Sequence, residues 1–195
     1  MQYEGGDVMQ WQSASEKLIC EKLLDILEIT PFQTIKVTEF VRFAGISRSC
    51  FYLYFDSIYS VVQKLEDDFI EGLTEENQVI IPHFSDYSSN RIDPRTIEKV
   101  EYIRQNIRTI RILTGENGDP SFQMRMANRT WRIFRKQFAH CTKLSESQKK
   151  LVCEYMCGGQ MNLYRWYANN ENEISIYEVG TLLEKLTSKI LSLLE

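Results

Sequence analysis

The sequence predicts an all-α protein. Apolar residues recur at helical spacing through nearly all of the chain, as they do in residues 18–27. The 195 residues include only 9 Gly and 4 Pro, too few for a turn-rich all-β fold. Two Asp-Pro pairs, at residues 93–94 and 119–120, have the form of a helix cap followed by proline in the first turn. We therefore expect about nine helices.

The N-terminal helices have clear start and stop signals. Ser13 can cap a first helix, and Pro31 ends it. A second, short helix fits residues 37–44, and Gly45 stops it as a glycine just beyond a helix end does. Ser47 can cap a third helix that extends to residue 54.

The rest of the chain continues the helical pattern. A long fourth helix with an acidic outer face fits the apolar stripe of residues 58–73. Residues 83–93 are polar and lack helical periodicity, which indicates a loop. Further helices are predicted to begin near Pro94, Pro120, Ser145 and Tyr177.

Several features place the chain in the cytoplasm, without membrane contact. No run approaches the roughly 18 apolar residues of a membrane helix. Residues 1–13 lack the basic and apolar regions of a signal peptide. The five cysteines are odd in number, and no pair has the C-x-x-C spacing of a redox or zinc motif. We expect reduced, packed thiols, with a thiol sensor at Cys153 and Cys157 as the alternative.

The net charge of −4 excludes a globally basic coat for nucleic acid, so any DNA contact must come from a local patch. Residues 61–90 carry 1 basic and 7 acidic side chains, whereas residues 91–150 carry 14 basic and 6 acidic ones. Arginines suit an anionic ligand, but they also suit a solvated face or pairing with the acids of residues 61–90. Two arginine triplets have the spacing i, i+4, i+7, which places each triplet on one face of a helix: Arg104, Arg108 and Arg111, then Arg125, Arg129 and Arg132.

The sequence gives no sign of an enzyme. It has no G-x-G-x-x-G, P-loop, G-x-S-x-G or H-E-x-x-H motif. Its 2 histidines, His83 and His140, lie outside any metal-ligand spacing. We expect no catalytic residue, no metal and no cofactor.

Residues 37–54 have the form of a helix-turn-helix. Two short helices flank a tight turn at Gly45, where glycine lets the chain reverse. The second helix would enter the major groove with its N-terminal residues toward base edges. Arginine bonds bidentately to guanine, and serine bonds either partner. The candidate base-edge residues are Ser47, Arg48, Ser49 and Cys50, and the hydroxyls of Tyr52 and Tyr54 suit phosphate oxygens.

This region resembles the TetR-type (TetR/AcrR) transcriptional regulators. Residues 34–61 read TIKVTEFVRFAGISRSCFYLYFDSIYSV, close to the family signature T-V-x-x-I-A-x-x-A-G-V-S-R-G-T-F-Y-x-Y-F-x-S-K-E-x-L. The matching residues are Val37, Phe40, Ala44, Gly45, Ile46, Ser47, Arg48, Phe51, Tyr52, Tyr54, Phe55 and Ser57.

The resemblance implies a homodimer that binds a pseudo-palindromic operator in double-stranded DNA. Its N-terminal helices would read DNA, and a larger helical domain would dimerise and hold a small-molecule effector. The expected function is that of a repressor released by its ligand. Some branches of the family act with another protein, so gating by a protein partner, as a co-activator or adaptor, is the alternative.

Three positions depart from the family pattern. Lys36 stands where the family has a capping threonine, Ile58 where it has a lysine, and Ser49-Cys50 where it has Gly-Thr. Lysine cannot cap a helix N-terminus, but its ammonium can reach a phosphate. Lys36 and Arg42 are therefore the candidate phosphate contacts, and no contact is assigned to Ile58.

We expect three parts: a tail at residues 1–14, the helix-turn-helix domain at 15–60, and a helical regulatory and dimerisation domain at 61–195. Two helices near residues 146–168 and 176–194 are the dimer candidates, with a purely intrachain core as the alternative. Aromatic and Met side chains of the second domain could line a ligand cavity or simply form core. The candidate pocket residues are Tyr102, Arg108, Phe122, Met126, Trp131, Phe134, Tyr155 and Tyr164.

Overall fold

The computed structural model describes residues 13–74, 93–139 and 141–192. The predicted tail at residues 1–14 lies almost wholly outside these ranges, as do both histidines and all but the last residue of the predicted loop at 83–93. The described residues form nine α-helices and one short 3-10 helix, with no strand among them. The predicted all-α fold is confirmed.

The helices follow one another along the chain with short connections wherever the connection is described. In order they are α1 (Ala14–Leu27), a 3-10 helix (Phe32–Thr34), α2 (Val37–Ala44), α3 (Arg48–Tyr54), α4 (Ile58–Thr74), α5 (Pro94–Gln105), α6 (Ile107–Leu113), α7 (Phe122–Gln137), α8 (Glu146–Asn169) and α9 (Ile176–Leu191).

Serine side chains cap the N-termini of several of these helices. The Ser13 side chain accepts a backbone N–H in the first turn of α1. Ser145 and Ser175 each form a reciprocal capping box, with Gln148 and Glu178 respectively. Each box satisfies two backbone donors that a helix N-terminus would otherwise leave unpaired.

Two helix boundaries differ from the sequence prediction. The helix that begins at Pro94 is interrupted at Asn106, whose side-chain amide donates to the Tyr102 carbonyl oxygen at 2.9 Å. The Asn106 backbone N–H bonds the same oxygen at 3.1 Å, and α6 starts as a separate helix at the next residue. Helix α7 starts at Phe122 rather than near Pro120, because the Asp119 carboxylate accepts the N–H and hydroxyl of Ser121 and holds a turn there.

One apolar core runs from the N-terminal helices into the second domain. Phe69 of α4 lies at its centre, with ring centroids 5.7 Å from Tyr102 and 6.0 Å from Phe122. A second, smaller cluster joins α7 to α8 and α9 through Phe134, Cys157 and neighbouring side chains. All five cysteines are free thiols, and four of them are buried. Helix α4 therefore connects the small N-terminal unit to the larger helical domain.

Gly72 of α4 provides the space for Tyr102 to cross that helix. The Tyr102 hydroxyl donates to the Phe69 carbonyl oxygen at 3.2 Å. A Cβ atom at Gly72 would lie 2.5 Å from the Tyr102 ring, closer than atoms can approach. Gly72→Val is therefore expected to lower the free energy of unfolding by about 1–3 kcal/mol, measured by urea denaturation.

Gly158→Ala is the matched control for that substitution. Its added Cβ would meet only the end of Gln123 at an ordinary 3.7 Å, so removing a helical glycine should leave stability unchanged or raise it. Equal stability for Gly72→Val and wild type would contradict the close packing of Tyr102 against α4.

Candidate nucleic-acid interface

The turn between α2 and α3 has the geometry that the sequence predicts. Gly45 has φ 69° and ψ 29°, a left-handed conformation that glycine adopts without steric cost. The next residue, Ile46, donates its backbone N–H to the Val41 carbonyl oxygen at 3.0 Å. This pairing closes the end of α2 and directs the chain into α3.

Aromatic packing fixes α3 against the N-terminal core. Phe51 is fully buried, and its ring centroid lies 5.8 Å from that of Phe40 in an edge-on arrangement. Phe55, just beyond the helix, lies 6.2 Å from Phe51 on the other side. Because Phe51 points inward, the opposite face of this helix points to solvent.

The solvent face of α3 begins with its cap. The Ser47 hydroxyl accepts the Cys50 backbone N–H at 3.0 Å and lies 2.9 Å from the Ser49 hydroxyl. Arg48 is exposed beside them, and so is Tyr52 in the next turn. The first turn thus presents a guanidinium and hydroxyl groups, the groups that bond base edges and phosphates.

The structure separates the predicted DNA contacts into two sets. Cys50 and Tyr54 are half-buried, and Tyr54 packs against the core. The other six are exposed; they are Lys36, Arg42, Ser47, Arg48, Ser49 and Tyr52. Lys36 makes no capping bond, because its ammonium group cannot accept a backbone N–H, and this ammonium lies 4.0 Å from the Glu39 carboxylate.

The sequence analysis did not name Leu53 as an interface residue. Among the large apolar side chains of α3, it is the most exposed. Its exposed fraction is 74%, and it lies on the helix face that carries Ser49 one turn earlier. An apolar residue within a helical pattern is ordinarily assigned to the core. Its exposure could have been predicted from its spacing to the inward-facing Phe51. Side chains two residues apart on a helix point in nearly opposite directions.

Polar contacts, in addition to the shared apolar core, join the N-terminal helices to the second domain. The Arg108 guanidinium of α6 bonds Asp25 at 2.7 Å and Glu28 at 2.8 Å, both at the end of α1. The Phe32 backbone N–H donates to the Asn117 carbonyl oxygen at 3.0 Å. These contacts allow a movement in α6, or in the loop that follows it, to reach the helices that carry the candidate interface.

The Arg108 pair is expected to make stability depend on pH. Hydrogen bonds from Arg108 and then Lys22 hold the pKa of Asp25 below its ordinary value of 3.8. A carboxylate whose pKa is lowered by folding stabilises the protein at pH values above its ordinary pKa. That contribution is lost as the pH falls through the lowered pKa. Arg108→Gln should therefore be less stable than wild type at neutral pH, by about 0.2–1 kcal/mol for so exposed a pair, with the difference shrinking below pH 3.8.

Urea denaturation across a pH series measures this effect. Lys136→Gln, at an exposed position of α7, is the control and should follow wild type at every pH. A difference between Arg108→Gln and wild type that stays constant through the acid range would contradict the role of the Asp25 pair.

The eight candidate ligand-pocket residues differ in their burial. Five are buried in the two apolar clusters: Tyr102, Phe122, Met126, Phe134 and Tyr164. Trp131 is half-buried and stacks on Phe134, Arg108 pairs with α1, and Tyr155 is 71% exposed on α8. Phe122 also borders a small cavity of about 190 Å³. Their assignment to a ligand site remains a prediction.

The described part of the chain offers neither a metal cluster nor a membrane helix. It contains no group of three or more His, Cys, Asp or Glu side chains placed to hold a metal ion. Within the same residues, no helix is both long and apolar enough to cross a bilayer. The fold and the interface define a class of protein: a helix-turn-helix unit, attached through one long helix to a larger all-helical domain.

The sequence comparison agrees with that class. A family described as "Transcriptional regulator C-terminal region" (TetR_C_8) matches residues 90–189, more than half of the chain. No curated protein sequence matches. The chain belongs to the TetR family of transcriptional regulators, which bind DNA and are generally not enzymes.

Solved structures share the fold across almost the whole chain. A TetR transcriptional regulator from Streptococcus agalactiae is 15% identical with a TM-score of 0.60, over 91% of this chain and 93% of that one. A TetR-family regulator from Streptomyces coelicolor is 14% identical with a TM-score of 0.60, over 91% and 82%. A dihydroxyacetone kinase operon activator is 19% identical with a TM-score of 0.52, over 93% and 94%.

Proposed function

We propose that this chain is a sequence-specific, homodimeric transcriptional repressor that acts in the cytoplasm and is released from its operator by a small-molecule ligand. The observation that carries the proposal is the exposed first turn of α3, where Ser47, Arg48 and Ser49 stand free of the core. A helix held this way fits the major groove of B-DNA.

Five of the six exposed polar side chains have a proposed partner on DNA; the sixth, Ser47, caps α3. Arg48 bonds the O6 and N7 atoms of a guanine, and Ser49 bonds a neighbouring base edge. Tyr52, Lys36 and Arg42 contact phosphates, which position the helix without reading sequence. The half-buried Cys50 and Tyr54 act mainly by holding α3 in place.

Leu53 adds an apolar contact with a thymine methyl group. None of the residues that the structure describes covers this side chain, and contact with that methyl group is how an apolar residue discriminates among bases. Leu53→Ala is expected to weaken binding to a thymine-containing operator by about 1 kcal/mol and to leave binding to the same operator with uracil in that place unchanged. Fluorescence anisotropy on the two duplexes measures this, and an equal loss on both would contradict the contact.

The dimer is proposed to form through the outer faces of α8 and α9. Helix α8 carries exposed Leu151, Tyr155 and Trp166 on one stripe, with Gly159 at its middle. A Cβ at Gly159 would meet nothing within 4 Å, so a second helix has room to approach there. The outer side of α9 adds the exposed pair Leu182 and Leu186. Exposed apolar residues of this number on neighbouring helices are typical of a protein interface.

Repression and release follow from dimer geometry. Two copies of α3 bind half-sites about one helical turn apart, so the spacing between them decides whether both fit. A ligand that favours a spacing unsuited to DNA lowers operator affinity by its preference for that form. The contacts from Arg108 to α1 and from Asn117 to Phe32 provide the connection.

The test uses the purified chain and sheared DNA from its own organism. Fragments retained by the protein are sequenced, and the recovered site is compared with a scrambled duplex by fluorescence anisotropy at one salt concentration. We expect selective binding that a fraction of the cell's small metabolites abolishes. Equal binding to both duplexes contradicts the proposal, and selective binding that only a protein fraction alters would indicate gating by a protein partner.

A further inference from the structure

A cleft of about 440 Å³ lies between α4 and α7. Its volume is within the range of about 300–1,000 Å³ that is usual for small-molecule sites. Ile70 and Arg125 form its floor. Its two walls carry opposite charge: Asp67 and Glu71 on α4, and Asn128, Arg129 and Arg132 on α7.

The floor of the cleft is already neutralised. The Arg125 guanidinium contacts Glu66, which is fully buried, and lies 3.6 Å from the Asp119 carboxylate. It also donates to the Tyr59 hydroxyl at 3.5 Å. Arg125 therefore links α4 to α7, and the carboxylates of Glu66 and Asp119 offset its charge.

The walls are different, because the structure describes no partner for their charges. Arg129, Arg132, Asp67 and Glu71 are exposed, and none forms an ion pair or a side-chain hydrogen bond with the residues that the structure describes. Partial desolvation in the cleft raises the pKa of Asp67, although its side chain remains exposed, and the nearby Arg129 offsets only part of that effect. A carboxylate in this setting gains from a cation placed beside it.

The arrangement of the walls selects the charge of the occupant. A simple anion bound to the arginines would face the repulsion of Asp67 and Glu71. A simple cation bound to those acids would face the repulsion of Arg129 and Arg132. A molecule that carries both charges satisfies the two walls together, since guanidinium groups bind carboxylates and carboxylates bind ammonium groups.

We propose that this cleft binds a small zwitterion of the amino-acid type, with its carboxylate on Arg129 and Arg132 and its ammonium group on Asp67 and Glu71. The inference rests on the proposed function, because it gives the regulator an effector. Three residues separate the end of α3 from the start of α4, and the ring centroid of Tyr59, in the first turn of α4, lies 6.2 Å from that of Phe32. A ligand that draws α4 toward α7 therefore acts on the helix that follows α3.

Binding is measured first on the full chain without DNA, by isothermal titration calorimetry. The probes are the protein amino acids and 4-aminobutanoate, added singly at millimolar concentration. For each probe that binds, the N-acetyl derivative removes the ammonium charge and the amide derivative removes the carboxylate. We expect saturable binding of at least one probe and at least a tenfold loss, about 1.4 kcal/mol, for either derivative.

Two double variants test the position of the site. Asp67→Asn with Glu71→Gln removes one wall, and Arg129→Gln with Arg132→Gln removes the other; each should weaken the probe at least about tenfold. Arg135→Gln is the control, since Arg135 lies on α7 outside the cleft and faces Glu146. All these positions are exposed, and circular dichroism with thermal melting checks that each variant folds.

The outcomes separate this inference from the proposed function. Binding that needs both charges and both walls supports the zwitterion site. The inference is overturned if no probe binds, if the N-acetyl derivative binds equally well, or if binding survives both double variants. If the same protein sample still binds its operator selectively, the proposed function holds and only the zwitterion effector is excluded. If operator selectivity is absent as well, the proposed function itself is refuted.

Discussion

Arg48→Ala is expected to abolish discrimination at one base position in each half-site of the operator. Arg48 is exposed in the first turn of α3, where a guanidinium can bond both acceptors of a guanine. Loss of that pair should cost about 1–3 kcal/mol per half-site on the cognate duplex and nothing on a duplex in which that guanine is replaced. Fluorescence anisotropy with the two duplexes measures the difference.

Arg42→Ala is the matched control for Arg48→Ala. Arg42 is also exposed but lies near the end of α2, so the proposed loss there is a phosphate contact. Its substitution should weaken both duplexes alike and reduce the salt dependence of binding. A uniform loss for Arg48→Ala as well would mean that Arg48 contacts phosphate and that base recognition lies elsewhere.

Gly159→Glu is expected to separate the dimer into monomers. The protomer accepts the new side chain, because a Cβ at this position meets nothing within 4 Å. In the proposed dimer the carboxylate would be buried between helices without a partner, which is strongly unfavourable. A monomer brings one α3 instead of two, so operator affinity should fall by about 10²–10⁴-fold.

Analytical ultracentrifugation measures the oligomeric state of Gly159→Glu beside that of Lys136→Glu. The control places the same acidic side chain on an exposed position of α7 and should remain dimeric. An unchanged dimer for Gly159→Glu would show that the outer face of α8 is not the interface. A folded monomer with unchanged operator affinity would show that DNA binding does not require two copies.

Local signals made the helix-turn-helix predictable. Gly45 and Ser47 determine a turn and a cap through their own backbone and hydroxyl, so neighbouring residues were enough to place them. Phe51 belongs to the same short pattern. Leu53 was given no place in that pattern, although its spacing of two residues from Phe51 turns it to the exposed face.

The second domain was less predictable because long-range pairing determines it. Arg108 pairs with Asp25, 83 positions away, and only the packing of α6 on α1 makes that pair possible. Tyr155 shares the aromatic character of the buried Tyr164, yet the rotation of α8 turns it outward. The arginines of α7 also divide: Arg125 pairs with the acidic α4, as one interpretation of the sequence allowed, whereas Arg129 and Arg132 face an open cleft.

Selection from a pool of random duplex DNA tests the central claim most directly. The purified chain is incubated with the pool at moderate salt, and the bound fraction is sequenced over several rounds. An inverted repeat whose half-sites lie about one helical turn, or 34–36 Å, apart is the predicted result for two copies of α3 on one operator. No enrichment, even at low salt, would contradict direct sequence-specific binding by this protein.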